Sequence, residues 1–248
     1  MIITVKENKD EDKKIKAYFN VELNDFQLKG FKLYENDEKE LKLLMPSMML
    51  KDKDGNEIHN QNTGKPINSQ IIQINPELSN RKELFNELEK LFIDVYKESK
   101  EAKNENEHFS KNVQIQDLEK GELNVSTFNI PKSKGETTNN DIQLKASNSV
   151  FVGAFKVNNV NLFYNAAKND FNISMPQYNY LDKKGKEVRN SFFVPKNPES
   201  HKMLKTKIVS SHKNKQSEYA NMKKNSKNKN NTFNQNQEAK EAQAPTMK

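Results

Sequence analysis

The sequence predicts an α+β protein made of two small domains, each an antiparallel β-sheet with a C-terminal α-helix, followed by a disordered tail. Three observations predict it. First, Leu43-Leu44-Met45-Pro46-Ser47 followed by a polar turn at Asp54-Gly55-Asn56-Glu57-Ile58 recurs as Asn172-Ile173-Ser174-Met175-Pro176 and Lys184-Gly185-Lys186-Glu187-Val188, with Met and Gly both offset by 130 residues, as a duplicated β-substructure requires. Second, apolar residues alternate with polar ones ahead of each Met-Pro corner, the period of half-buried strands. Third, an apolar stripe of helical period follows each turn.

Ile15, Ala17, Phe19, Val21 and Leu23 alternate with Lys16, Tyr18, Asn20 and Glu22, which defines a strand. Asn24-Asp25 turns the chain into Phe26-Gln27-Leu28-Lys29. The apolar phase then slips at Gly30 to Phe31 and Leu33, and a glycine at a phase slip predicts a β-bulge. Leu41, Leu43 and Met45 form the next strand, and Met48 and Leu50 lead into the Asp54-Gly55 hairpin. Pro66 and Pro76 then precede a helix that Ser79 or Asn80 caps, with Leu84, Leu88, Leu91, Phe92 and Val95 on one stripe. This first domain spans residues 1–97.

Residues 98–140 lose periodicity and read as a polar linker with Pro131 and Gly135 near its end, although Val125, Phe128 and Ile130 allow one more strand. The second domain, 141–215, opens with Val150-Phe151-Val152-Gly153-Ala154-Phe155, apolar on both faces and therefore central or covered by a partner. Asn158-Asn159 reads as a tight turn, followed by Val160, Leu162 and Tyr164, then Phe171, Ile173 and Met175. Pro195 and Pro198 match the prolines of the first copy. The closing helix has Asn197 as N-cap, Pro198 at N1 and Met203, Leu204 and Ile208 inward. Residues 216–248, rich in Lys, Asn and Gln with almost nothing to bury, read as a disordered tail.

With 248 residues, 33% hydrophobic and 30% charged, the chain can supply two small cores rather than one large one. No cysteine excludes disulfides and thiolate metal sites. The N-terminal stretch lacks an apolar signal-like region and no segment approaches a membrane span, so a cytoplasmic protein is expected. Residues 1–100 carry 17 Lys and Arg against 19 Asp and Glu, so the +7 net charge resides in the second half. From Lys196 onward twelve lysines face four glutamates, which draws a polyanion to that end. Arginine occurs only at Arg81 and Arg189, which argues against bidentate reading of guanine and for binding that follows backbone or shape rather than sequence.

Leu44-Met45-Pro46-Ser47, the Asp54-Gly55 turn, Lys65-Pro66-Ile67-Asn68 and the closing helix resemble the SpoVG family of small bacterial nucleic-acid-binding proteins over nearly all of residues 1–97. In the second copy the resemblance rests on Ser174-Met175-Pro176, Gly185 and Phe193-Val194-Pro195-Lys196. It implies a non-enzymatic DNA- or RNA-binding regulator whose single-domain relatives form homodimers. It also implies basic residues just after the Met-Pro-Ser corner, where this chain has Met48-Met49 and Tyr178-Asn179.

Other constellations carry no chemistry. Asp52-Lys53-Asp54-Gly55-Asn56 opens like a calcium loop, but Glu57 and Thr63 stand where Gly and a bidentate Glu are needed, leaving a hairpin turn. His59, His108, His201 and His212 show neither metal-ligand nor catalytic spacing and read as surface residues. No catalytic, metal or cofactor site is legible. Met45 and Met175 read as packing at strand ends, with Pro46 and Pro176 turning the chain. Tyr178 and Tyr180 beside Lys183 and Lys184 offer stacking next to phosphate neutralisation, the alternative being ordinary strand aromatics. The candidate nucleic-acid contacts are Lys183, Lys184, Arg189, Lys196, Lys202, Lys205, Lys213 and Lys215, the helix lysines forming one positive strip. Contact mainly with phosphates, weakly selective for sequence, is expected. The alternative is a protein-interaction module in which two fused copies form a fixed intramolecular pseudo-dimer within a monomeric chain.

Overall fold

Alternating strand residues need a second layer to bury their apolar face; each half of the chain supplies its own helix for that, and one strand from the other half extends its sheet. The computed structural model describes residues 1–10, 12–52, 54–102, 108–129, 142–181 and 184–241. In the first half β1 (Ile2–Glu7), β2 (Ile15–Leu23), β3 (Phe26–Glu35) and β4 (Leu41–Leu44) form an antiparallel meander. β5 (Ser47–Met49) and β6 (Asn68–Gln70) form a separate two-stranded arm, and β7 (Ile72–Ile74) leads to α1 (Arg81–Glu101). After β8 (Phe109–Asn112), which pairs with β1, and the short α2 (Gln116–Glu119), the same order returns. β9 (Asn124–Asn129), β10 (Ile142–Val152), β11 (Phe155–Asn165) and β12 (Asp170–Ser174) form the second meander. β13 (Gln177–Leu181) and β14 (Glu187–Ser191) form a second arm, and β15 (Phe193–Pro195) leads to α3 (Pro198–Glu241).

Details of register recur as well. Gly30 is the extra residue of a bulge between β2 and β3, and Asn159 holds the matching place between β10 and β11. Both have positive φ, +90° and +63°, a conformation that Gly and Asn tolerate best. At a second bulge the register skips Lys16 in β2 and Lys145 in β10. Asn158-Asn159 is therefore a bulge inside β11, and the tight turn lies at Gly153-Ala154, because a left-handed Asn serves a bulge as readily as a turn.

The halves exchange strands. β7 pairs with the start of β11 through Ile72–Ile74, and β15 pairs with the start of β3 through Phe193–Pro195. In each case the receiving edge is completed further along by that half's own fourth strand. Phe193 stacks on Phe26 at 5.0 Å, and Phe31 meets Phe155 edge-on at 6.2 Å. The expectation of two separate small cores is thus corrected: the buried residues form one hydrophobic cluster spanning both halves. The exchanged strands carry Ile72, Ile74 and Phe193 into the opposite half, where they are buried.

α1 lays Leu84, Leu88, Phe92 and Val95 against β1 and β4, with no side-chain bond from Asn80 at its start. α3 packs on β9 and β12 through Leu204 and Ile208. Here Asn197 caps as expected: its Oδ1 accepts from the Ser200 N–H at 2.7 Å, while Ser200 Oγ lies 3.2 Å from the Asn197 N–H. Met203, expected inward, is 38% exposed, and the stripe continues instead through Ser200 and His212. Residues 216–241, expected as irregular tail, continue α3 because no Gly or Pro interrupts the chain after Pro198 until Pro245. The stretch 98–140, expected as linker, supplies α2 and adds β8 and β9 to the two sheets. Pro66 lies within the first arm while Pro195 pairs with Phe26, so these two prolines are not equivalent. Ile130, Pro131, Gly135 and residues 242–248 lie outside the described residues. Among the described residues no helix is long and apolar enough to cross a membrane.

Candidate nucleic-acid interface

The Met-Pro corners start the two arms. Pro46 ends the ladder at β4, and its carbonyl accepts from the Ile71 N–H at 2.9 Å. Pro176 does the same for the Phe192 N–H, also at 2.9 Å. Each corner thereby closes the base of an arm by joining its first residue to its last. Both bases flank Gly30: a Cβ there would lie 2.9 Å from the Phe192 ring and 3.7 Å from Pro46 Cβ. Met45 and Met175 pack against the core, the reading favoured by their position at strand ends.

Beyond their bases the arms diverge in character. In the first, Leu50, Ile58 and Ile67 close a ring of backbone bonds: Leu50 N–H to Ile67 O, Ile67 N–H to Ile58 O and Ile58 N–H to Leu50 O, at 2.8 Å to 2.9 Å. All three side chains remain exposed, as do Met48 and Met49. The Asp52 turn is a plain hairpin whose carboxylate accepts from the Asp54 and Asn56 N–H groups, which lowers its pKa.

The second arm is polar and basic. Lys184 and Lys186 flank Gly185 at the turn, where φ is +75°, and Arg189 is exposed on β14 opposite Asn179. Tyr178 is half-buried on Phe192, ring centroids 4.6 Å apart, and burial raises its pKa. Tyr180 is 45% exposed. Of the two tyrosines, then, only the outer one presents a free face to a base. Lys183 lies outside the described residues.

The expected positive strip along α3 does not form. Lys205 binds both oxygens of Asp170 at 2.9 Å and 3.1 Å, holding that carboxyl below its usual pKa. Lys215 pairs with Glu218 at 2.9 Å and lies over the Tyr219 ring, and Lys196 pairs with Glu22 at 2.6 Å. Helical spacing explains the split: Lys205 turns toward β12, whereas Lys202 and Lys213, eleven residues apart, return to the same outward side. Both of these are exposed, with no ion-pair partner among the described residues. The structure therefore groups Lys184 and Arg189 on the second arm, and Lys202 and Lys213 on the outer side of α3.

His212, expected at the surface, is 3% exposed. It sits edge-on to Phe171 with Nδ1 unbonded, and burial, aided by Lys145, lowers its pKa. Its place four residues after Ile208 and eight after Leu204 is the signal that marks it as inward. Phe192, at the base of the second arm, had no such signal, since only the exchange of β15 brings it onto Gly30. No group of His, Asp or Glu among the described residues is arranged to hold a metal ion. The chain matches no protein-family model, no curated protein and no solved structure.

Proposed function

We propose that the chain is a tandem pair of SpoVG-like domains acting as a non-enzymatic, cytoplasmic DNA- or RNA-binding regulator, held to nucleic acid mainly through phosphates. The observation that carries this is the second arm: a ribbon paired with neither main sheet, bearing Lys184, Lys186, Arg189 and the open face of Tyr180. Lys202 and Lys213 supply further cations on α3, and phosphate neutralisation by such groups releases counterions. Two copies of one fold are supported by the repeated element order, the paired bulges and the reciprocal strand exchange. The exchange also supports an intramolecular pseudo-dimer, each half completing the other's sheet edge within one chain.

Binding of random-sequence duplex DNA and of single-stranded RNA, followed by anisotropy across a salt series, tests the proposal. A plot of log K against log salt with a slope steeper than about −2 is expected, and Lys202→Gln with Lys213→Gln should flatten it by about 2. No salt-dependent affinity for either polymer would overturn the proposal.

The first arm favours a second reading, a protein-interaction module. Leu50, Ile58 and Ile67, linked by backbone bonds, are each more than a third exposed, as are Met48 and Met49 on the same arm, apolar surface of the kind that interaction sites use.

A further inference from the structure

Side chains alternate across a strand pair, and the second arm sorts into two unlike faces. Tyr178, Tyr180, Val188 and Asn190 share the face that packs on Phe192. By register the opposite face carries Gln177, Asn179 and Leu181 on β13 and Glu187, Arg189 and Ser191 on β14, polar except for Leu181 at the end of its strand. Gln177, Asn179 and Arg189 are exposed, and Asn179 and Arg189 stand directly across the ladder from each other. Asn179 donates from Nδ2 to Glu187 Oε1 at 2.7 Å, and a carboxamide keeps its Oδ1 and second N–H for further bonds.

This face has the chemistry of base-edge recognition. A carboxamide matches the N6 and N7 edge of adenine and a guanidinium matches O6 and N7 of guanine, each by two hydrogen bonds. One of the chain's two arginines stands here. Gln177 and Asn179 are two residues apart, roughly 6.6 Å along the strand, close to two base-pair steps of about 3.4 Å. Residues 177–191 carry Lys183, Lys184, Lys186 and Arg189 against Asp182 and Glu187, a balance suited to a polyanion. A two-stranded ribbon fits the major groove of B-form DNA, about 12 Å wide, whereas side chains cannot read the narrow major groove of A-form RNA.

We infer that the Gln177–Asn179–Arg189 face of the second arm enters the major groove of duplex DNA and reads base edges. This rests on the nucleic-acid reading above and adds to it: phosphate contacts position a protein, and base contacts give it a preferred sequence. The preferred site contains adenine and guanine within a few base pairs.

Selection of the full-length chain on a random-sequence duplex DNA library tests this, followed by anisotropy on the enriched duplex, a scrambled duplex and the enriched sequence as duplex RNA. Asn179→Ala and Arg189→Ala should each lower the ratio of enriched to scrambled affinity by roughly 5-fold or more. Lys213→Gln should weaken both DNA duplexes alike. Unchanged melting curves for the exposed-face variants show that they fold. DNA binding with no enriched sequence, discrimination untouched by both variants, or tighter binding of the RNA duplex would overturn the inference while leaving the proposed function standing. No binding to any of the polymers would overturn both.

Discussion

Gly30→Ala tests the junction of the two halves. At φ +90° an L-residue costs about 1–2 kcal/mol. The new Cβ would also sit 2.9 Å from the Phe192 ring, and overpacking of this kind adds about 1–3 kcal/mol. Gly185→Ala is the matched control: its φ is +75° but nothing lies within 4 Å, so the backbone cost stands alone. Gly30→Ala should therefore destabilise by about 2–5 kcal/mol and Gly185→Ala by about 1–2 kcal/mol. Urea unfolding followed by circular dichroism reads both as midpoint shifts at constant slope. Adding Phe192→Leu should bring the cost of Gly30→Ala down toward that of Gly185→Ala, a coupling of about 1–3 kcal/mol. Equal costs for the two glycine variants, or no coupling to Phe192, would refute the packing of the second arm's base on the first half.

Gly153→Ala drives a Cβ into the Leu118 carbonyl oxygen; because backbone must yield, it should lower the melting temperature more than Gly185→Ala does. His212 is buried with a lowered pKa, so the unfolded chain binds the extra proton first. Stability is fully present above the unfolded value near 6.5 and falls as pH drops toward the folded one; melts between pH 8 and pH 5 should show this loss, and His212→Phe should reduce it. Truncation after residue 212 should flatten the salt dependence of any nucleic-acid affinity, since Lys213 and the later lysines are removed. Sedimentation equilibrium should give one chain for the full-length protein and two for residues 1–112 alone, whose β7 and open β3 edge have only a second copy to pair with.

Local elements were legible where local physics decides them. The α1 stripe, the Gly30 bulge and the Asn197 cap each follow from a residue and its near neighbours. The exchange was not legible, because β7 and β15 are three residues long and nothing in Ile72–Ile74 says which edge receives it. Consequently the single core and the partner of Gly30 could not be read in advance. The lysine strip on α3 is broken for a related reason: Lys205 and Lys215 are basic in sequence, but the fold brings Asp170 to one and the next helical turn brings Glu218 to the other. Nothing in the sequence singles out Gln177, and only the pairing of the arm places it with Asn179 and Arg189 on one face.

The exchange also sets a timetable for synthesis. The edge of β3 at Phe26–Leu28 is ready early but its partner, Phe193, is translated roughly 165 residues later, which is ~8–33 s at about 5–20 residues per second. Ile72 and Ile74 wait for a shorter time, until Phe155–Val157 of β11 emerges roughly 80 residues after them to shelter them. Neighbouring ribosomes on one message hold identical unfinished halves at close quarters, each offering the other the surface its own second half will later supply. The wait ends when the second half emerges tethered to the first, at an effective concentration that a separate chain does not match.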